Sequence, residues 1–224
     1  MTAIPVNADG ASSDEKILRS VARYYSEKLA RFGASPRGVD WNSAESQELR
    51  FAQLSLLLPE SMPFSLNDLG CGYGALLGFL TARGFDVDYR GFDVSADMVR
   101  VARERNQQWR NAAFCESARP ATAADYSVAS GIFNVRIGFA DAQWLAYVDA
   151  TLDELNRASR RGFAFNCLTR YSDPERRRPD LYYGDPCRFF DRCMTRYAPH
   201  VTLLHDYGLY EFTIIVRKRG TFEE

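Results

Sequence analysis

Three glycines at alternate positions, Gly70, Gly72 and Gly74, follow a short apolar run that closes on Asp68 and Leu69. Glycine lacks a β-carbon and tolerates positive φ, so such a run makes a tight turn on which a ligand can lie directly against backbone. A Cβ at Gly70 or Gly72 would hold that ligand away. Beyond the turn, Ala75 to Thr81 is apolar and helical in character. Strand, glycine turn and helix N-terminus together make a ligand-binding corner. Gly70, Gly72 and Ala75 also fit the dinucleotide spacing G-x-G-x-x-G/A, with Asp93 about twenty residues further on. A hydride-transferring chemistry is therefore one possible use of the corner.

Asp68 favours another. Asp68-Leu69-Gly70-Cys71-Gly72-Tyr73-Gly74 resembles motif I of the class I S-adenosylmethionine (SAM) dependent methyltransferases. The resemblance covers roughly residues 65 to 170, and the C-terminal hairpin agrees with it in order. It implies a turn that cradles an amino-acid tail and a ribose, with SAM as cofactor and S-adenosylhomocysteine (SAH) as product. A carboxylate suits the ammonium and sulfonium groups of such a ligand and would repel a pyrophosphate. Asp68, Gly70, Cys71, Gly72 and Gly74 are the cofactor-binding residues this implies. Asp93 ends the second strand, where open α/β sheets bind ligands, and its carboxylate can accept two hydrogen bonds from ribose hydroxyls. The resemblance further implies Val94 and Met98 beside the adenine, Glu116 or Ser117 at the adenine amine, and Ser130 with Gly131 at the methionine part.

The acceptor side is written less clearly. Phe133 could wall the transfer channel, and Asn134 could orient an acceptor; Phe133 could equally be core. Trp41, Gln47 and Arg50 fall close together if Ser43 starts a helix, with Gln47 and Arg50 on one face. A planar guanidinium is suited to clamp the cofactor's carboxylate, which makes Arg50 a candidate and Trp41 a neighbour on the substrate side. Arg176-Arg177-Arg178 and the pair Tyr182 and Tyr183 lie in a long loop after a late strand, a place where substrate lids form. Such a lid would favour a flat or anionic small substrate; a solvated charge run is the plainer reading. His205, near the end of the sixth strand, is placed for a general base, although a strand-face histidine can also be structural. Methyl transfer from a sulfonium asks mainly for in-line placement and exclusion of water, so a compact catalytic motif is not expected.

The elements that must position these residues can be read in order. Asp14 can cap a helix to about Phe32, with Ile17, Leu18, Val21, Tyr24, Tyr25, Lys28 and Leu29 as its stripe. Ser43 starts a second helix running toward Pro59, with Gln47 near the capping-box position. Strands are expected near Ser65–Leu69, Val87–Asp93, Ala112–Cys115, Tyr126–Ala129 and Gly162–Leu168. Helices at Ala75–Arg83, Ala96–Gln108 and Asp141–Ala158 separate them. Asp185 and Pro186 start a last helix to about Tyr197. Val201–Tyr207 and Glu211–Arg219 read as a terminal hairpin turned at Gly208-Leu209. The order predicts an α/β, Rossmann-like three-layer sandwich, with a seven-stranded, mostly parallel sheet, an antiparallel C-terminal strand and an N-terminal helical cap. It reads as a single domain over residues 1–224, with the cap at 1–60, the SAM-binding core at 61–224 and a lid at 169–186.

Composition narrows the class. With 224 residues, 46 % of them apolar, and a net charge of −1, no global field draws the chain to nucleic acid or to an anionic membrane. Residues 1 to 13 are polar, lack a signal-peptide pattern and are expected to fray. No apolar run approaches a membrane span. Five cysteines form no C-x-x-C pair, which fits a reduced, cytoplasmic setting with no structural metal. The expectation is a SAM-dependent methyltransferase acting on N or O of a small biosynthetic acceptor. An NAD(P)-dependent oxidoreductase and a non-catalytic SAM-binding protein are the alternatives.

Overall fold

In the computed structural model residues 12–218 are described. The segment expected to fray, up to residue 11, and the end of the last expected strand at Arg219 lie outside the described residues.

Helix α1 (Ser13–Phe32) starts on Ser12 rather than Asp14. The Glu15 N–H donates to the Ser12 hydroxyl at 3.2 Å, and the Ser12 N–H donates to the Glu15 carboxylate at 2.8 Å. This reciprocal box leaves Asp14 in the first turn, where its charge suits the helix dipole. Pro36–Val39 forms a single 3₁₀ turn ending on Asp40, whose φ of 61° is left-handed. Helix α2 (Ala44–Ser55) is capped by Ser43 as expected, but the reciprocal partner is Ser46, not Gln47. It stops short of Pro59, and Leu57 and Leu58 turn into the core instead.

The remaining elements alternate: β1 (Phe64–Leu69), α3 (Ala75–Ala82), β2 (Val87–Asp93), α4 (Ala96–Arg105), β3 (Ala112–Glu116), β4 (Ala124–Ala129), α5 (Asp141–Arg157), β5 (Ser159–Leu168), α6 (Pro186–Arg196), β6 (His200–Leu204) and β7 (Glu211–Arg217). Helix α4 ends before Gln108, at Asn106, whose backbone N–H and side-chain NH₂ both donate to the Ala102 carbonyl, at 3.2 and 2.8 Å. Asp185 does cap α6, accepting from the Cys187 and Arg188 N–H groups.

Seven strands form one sheet in the order β3-β2-β1-β4-β5-β7-β6, parallel except for β7, which runs against both neighbours. The strands alternate between two apolar layers, as a sheet covered on both faces requires. Leu66, Tyr89, Val128, Ala164 and Ile215 meet α2 and α3 on one face. On the other, Phe163, Phe165, Phe212 and Ile214 meet α1, α5 and α6. The core is thus two layers divided by the sheet, and β1 lies inside it, third of the seven strands.

Candidate functional site

Strand order reverses at β1, with β2 and β3 on one side and β4 onward on the other, so the carboxyl end of β1 opens a crevice. The glycine turn fills that position. Gly70, Gly72 and Gly74 have φ of 75°, 54° and 79°, a conformation costly for any residue with a β-carbon. Space also forbids one, though for a reason different from the expected ligand contact. A Cβ on Gly70 would stand 2.1 Å from Ile132 Cγ2, and one on Gly74 2.6 Å from Asn106 Nδ2. At Gly72 it would press on Val39 at 3.0 Å. The glycines let neighbouring side chains close around the turn.

Asp93 ties this turn to the next helix. Its Oδ2 accepts from the Gly72 N–H at 2.9 Å and its Oδ1 from the Ser95 N–H at 2.9 Å. Each oxygen keeps a second lone pair for a ligand. Burial raises the carboxyl's pKa and the backbone donors oppose that rise. Asp68 is more strained electrostatically. It is 2 % exposed; Oδ2 accepts from the Tyr89 hydroxyl, while Oδ1 is buried with no partner. Burial pushes its pKa up to about 7 against the lowering effect of Tyr89. Ser130 Oγ is likewise buried and unpartnered. Unpaired buried polar atoms are costly, and two of them on one cleft point to a ligand that completes them.

That cleft holds about 870 Å³ of empty space out to its open mouth. Asp68, Cys71, Gly72, Asp93, Val94 and Met98 line it, as do Gly70, Ser117 and Ser130. Among the described residues no lysine or arginine lines it, although two carboxylates do. Glu116 does not line it: it ends β3 exposed to solvent, and Ser117 takes the inner place, its N–H on the Asp93 carbonyl at 2.9 Å.

A second chamber of about 1210 Å³ opens beside the first, and Tyr25, Val39 and Trp41 line both. Asn134 and Tyr183 line the second. The Asn134 side-chain carbonyl accepts from the Leu168 N–H at 3.0 Å, which leaves its NH₂ for a ligand. Tyr183 accepts from the Arg178 N–H at 2.9 Å. Arg178 also reaches Asp40 at 3.3 Å, so the loop of residues 169–186 touches the segment that follows α1. Asp40 binds Tyr24 at 2.7 Å and Lys28 at 2.5 Å as well.

Several expected site residues have other work. Phe133 is fully buried, edge-on to Phe165 at 5.6 Å, and lines neither chamber; it is core. Tyr182 packs against the apolar layer beneath α5 and α6. His205 is exposed beyond β6, beside Tyr171 and Phe212, and lines neither chamber. Arg50 borders the second chamber rather than the first. Its Nε donates to buried Glu211 at 2.8 Å and its NH1 to the Ser46 carbonyl at 2.7 Å, so the guanidinium is already committed. It stacks 3.9 Å over Trp41, whose far edge closes on Gly131, where a Cβ would lie 2.4 Å away. Asn166 completes the chain, accepting from the Gly131 N–H at 2.6 Å and donating to Glu211 at 3.3 Å. Gln47 lines the first chamber and accepts from the Tyr73 hydroxyl at 2.9 Å, fastening α2 to the glycine turn.

Leu18, Val21 and Tyr25 present one face of α1 to the first chamber, and Tyr147 of α5 adds to its wall. In the sequence the first three read as part of a packing stripe. The signal was a tyrosine within that stripe, since a buried phenol needs a partner for its hydroxyl. Among the described residues no cluster of His, Cys, Asp and Glu could hold a metal ion, and no helix is long and apolar enough to cross a membrane.

The profile of a family described as "Methyltransferase domain" matches residues 67–162. The sequence is 64 % identical over 156 residues to Rv1506c of Mycobacterium tuberculosis (strain ATCC 25618 / H37Rv), which carries a provisional methyltransferase name. That match covers 70 % of this chain and 94 % of the relative. Among solved structures, human N-acetylserotonin methyltransferase in complex with SAM aligns with a TM-score of 0.61 at 17 % identity, covering 93 % of this chain and 60 % of that one. The DhpI–SAH complex aligns with a TM-score of 0.60 at 13 % identity, covering 91 % and 98 %. The N-methyltransferase NodS of Bradyrhizobium japonicum WM9 in complex with SAH aligns at 0.58 and 15 %, covering 88 % and 98 %.

Proposed function

The chain belongs to the class I SAM-dependent methyltransferases, and from that premise we propose that it moves a methyl group from SAM to a nitrogen or oxygen of a small acceptor held in the second chamber. The observation that carries this reading is the buried, unpartnered Asp68 Oδ1 on the wall of the first chamber. A carboxylate so placed is satisfied by a cationic ligand group such as the ammonium of SAM. Ser130 Oγ offers a second partner to the same amino-acid tail. Asp93 would take the ribose hydroxyls on its free lone pairs, with Val94, Met98 and Ser117 around the adenine. A dinucleotide fits poorly: its diphosphate would face two aspartates and, among the described residues, no cationic side chain.

When bound, SAM would supply an electrophilic methyl carbon carried on a sulfonium leaving group. The protein's part is to align and to exclude water. The Asn134 NH₂ and Tyr183 give the acceptor polar contacts, Trp41 gives it a ring face, and Arg176 and Arg178 border the chamber with positive charge. These features favour a flat or anionic acceptor of small size, and the −1 net charge disfavours a polyanionic one. Methyl-labelled SAM incubated with a panel of small amines, phenols and carboxylic acids tests this, with RNA and protein fractions alongside. Label on a small acceptor is expected. Label on macromolecules only, or bound SAM with transfer to nothing, would overturn it.

A further inference from the structure

The two chambers share three lining residues, Tyr25, Val39 and Trp41, so these stand at the boundary any transferred group must cross. Val39 is apolar. Trp41 is wedged between the Arg50 guanidinium and the Gly131 backbone. Tyr25 differs from both: its hydroxyl has no hydrogen-bond partner among the described residues. The ring is held edge-on to Tyr24, centroids 5.2 Å apart, and Tyr24 is itself fixed to Asp40. A side chain so braced presents its terminal oxygen at one place.

We propose that Tyr25 is a catalytic residue whose hydroxyl meets the transferring methyl group and the acceptor atom where the two chambers join. This rests on the reading that the first chamber holds SAM. A neutral phenol oxygen there faces a cationic centre with its lone pairs and narrows the line along which an acceptor can approach. It is not the base. Burial first, then the negative charges of Asp40 and Asp93, hold the phenol's pKa far above its ordinary value, so it keeps its proton at neutral pH. Asp40 lines the second chamber and Asp93 the first, which agrees with a hydroxyl set between them.

Calorimetric titration of the wild type and of Tyr25→Phe with two probes tests the assignment without an acceptor. One probe is SAH. The other is the analogue in which a carbon bearing an ammonium replaces the methylated sulfur, putting a cationic hydrogen-bond donor at the methyl position. Phenylalanine keeps the ring packing, so SAH affinity and the thermal midpoint are expected to hold, while affinity for the ammonium analogue falls about tenfold or more. An unchanged ratio of the two affinities overturns the proposal and leaves the cofactor reading standing. Equal loss of both probes also overturns it, marking Tyr25 as structural. A wild type that binds neither probe removes the cofactor reading and the proposal together.

Discussion

In the proposed reading, Asp68 is the residue on which ligand recognition in the cleft turns. Its carboxyl has a higher pKa folded than unfolded, about 7 against 3.8, because burial strips its solvent and leaves Oδ1 unpaired. A group shifted upward contributes stability that is full below its unfolded pKa and is lost as pH rises through its folded one. The ligand-free protein should therefore lose stability between about pH 4 and pH 7 through this group. Asp68→Asn, neutral throughout, should flatten that slope and raise the thermal midpoint at about pH 8, as read by calorimetry. A bound ammonium favours the charged form, so SAH affinity of the wild type should fall as pH drops through about 7. The same substitution should cost about tenfold or more in SAH affinity and remove that pH dependence. That Asp68 and Asp93 would reach the cleft was legible in the sequence because each stands at the end of a strand beside a turn. Which of Glu116 and Ser117 faces inward was not, since β3 is short and its register follows from pairing with β2.

At the scale of elements, the cap is joined to the core through buried charge. Arg50 on α2 and Glu211 at the start of β7 are 8 % and 0 % exposed, 161 residues apart in the chain. Burial raises the Glu211 carboxyl's pKa, and Arg50 opposes the rise. Removing one partner of such a pair costs about 3–5 kcal/mol, whereas replacing both with apolar residues can be neutral. Arg50→Ala should thus lower the stability measured by urea unfolding by about that much, with the Arg50→Met, Glu211→Leu double variant recovering most of it. Loss of SAH affinity with full stability in Arg50→Ala would instead return Arg50 to the cofactor. The spacing on α2 anticipated that Gln47 and Arg50 share its buried face, though they border different chambers. Their partners, Tyr73 and Glu211, come from distant strands and turns, which periodicity does not reach. Phe133 shows the same limit. A residue after a strand end can face the cleft or the core, and here Trp144, whose indole N–H donates to the Phe133 carbonyl at 2.9 Å, closes over it.

Across the molecule, alternation of strand and helix foretold the sheet, its parallel sense and the reversed β7, because each crossover has one favoured hand and each strand two apolar faces. Boundaries moved by a few residues, as at the end of α4, where Asn106 caps the helix. A cap over 1–60 and a loop at 169–186 were legible as elements beside the site; the division into two chambers was not, since it depends on how α1, the Pro36–Val39 turn and that loop pack against one another. Everything about function depends on the first chamber admitting a cationic adenosyl amino acid and refusing a diphosphate. Isothermal titration of the purified protein with SAH and, separately, with NADH is the direct measurement. Saturable binding of SAH at one site per chain, with no heat from NADH, is the predicted result. Saturation by NADH with indifference to SAH would contradict the account.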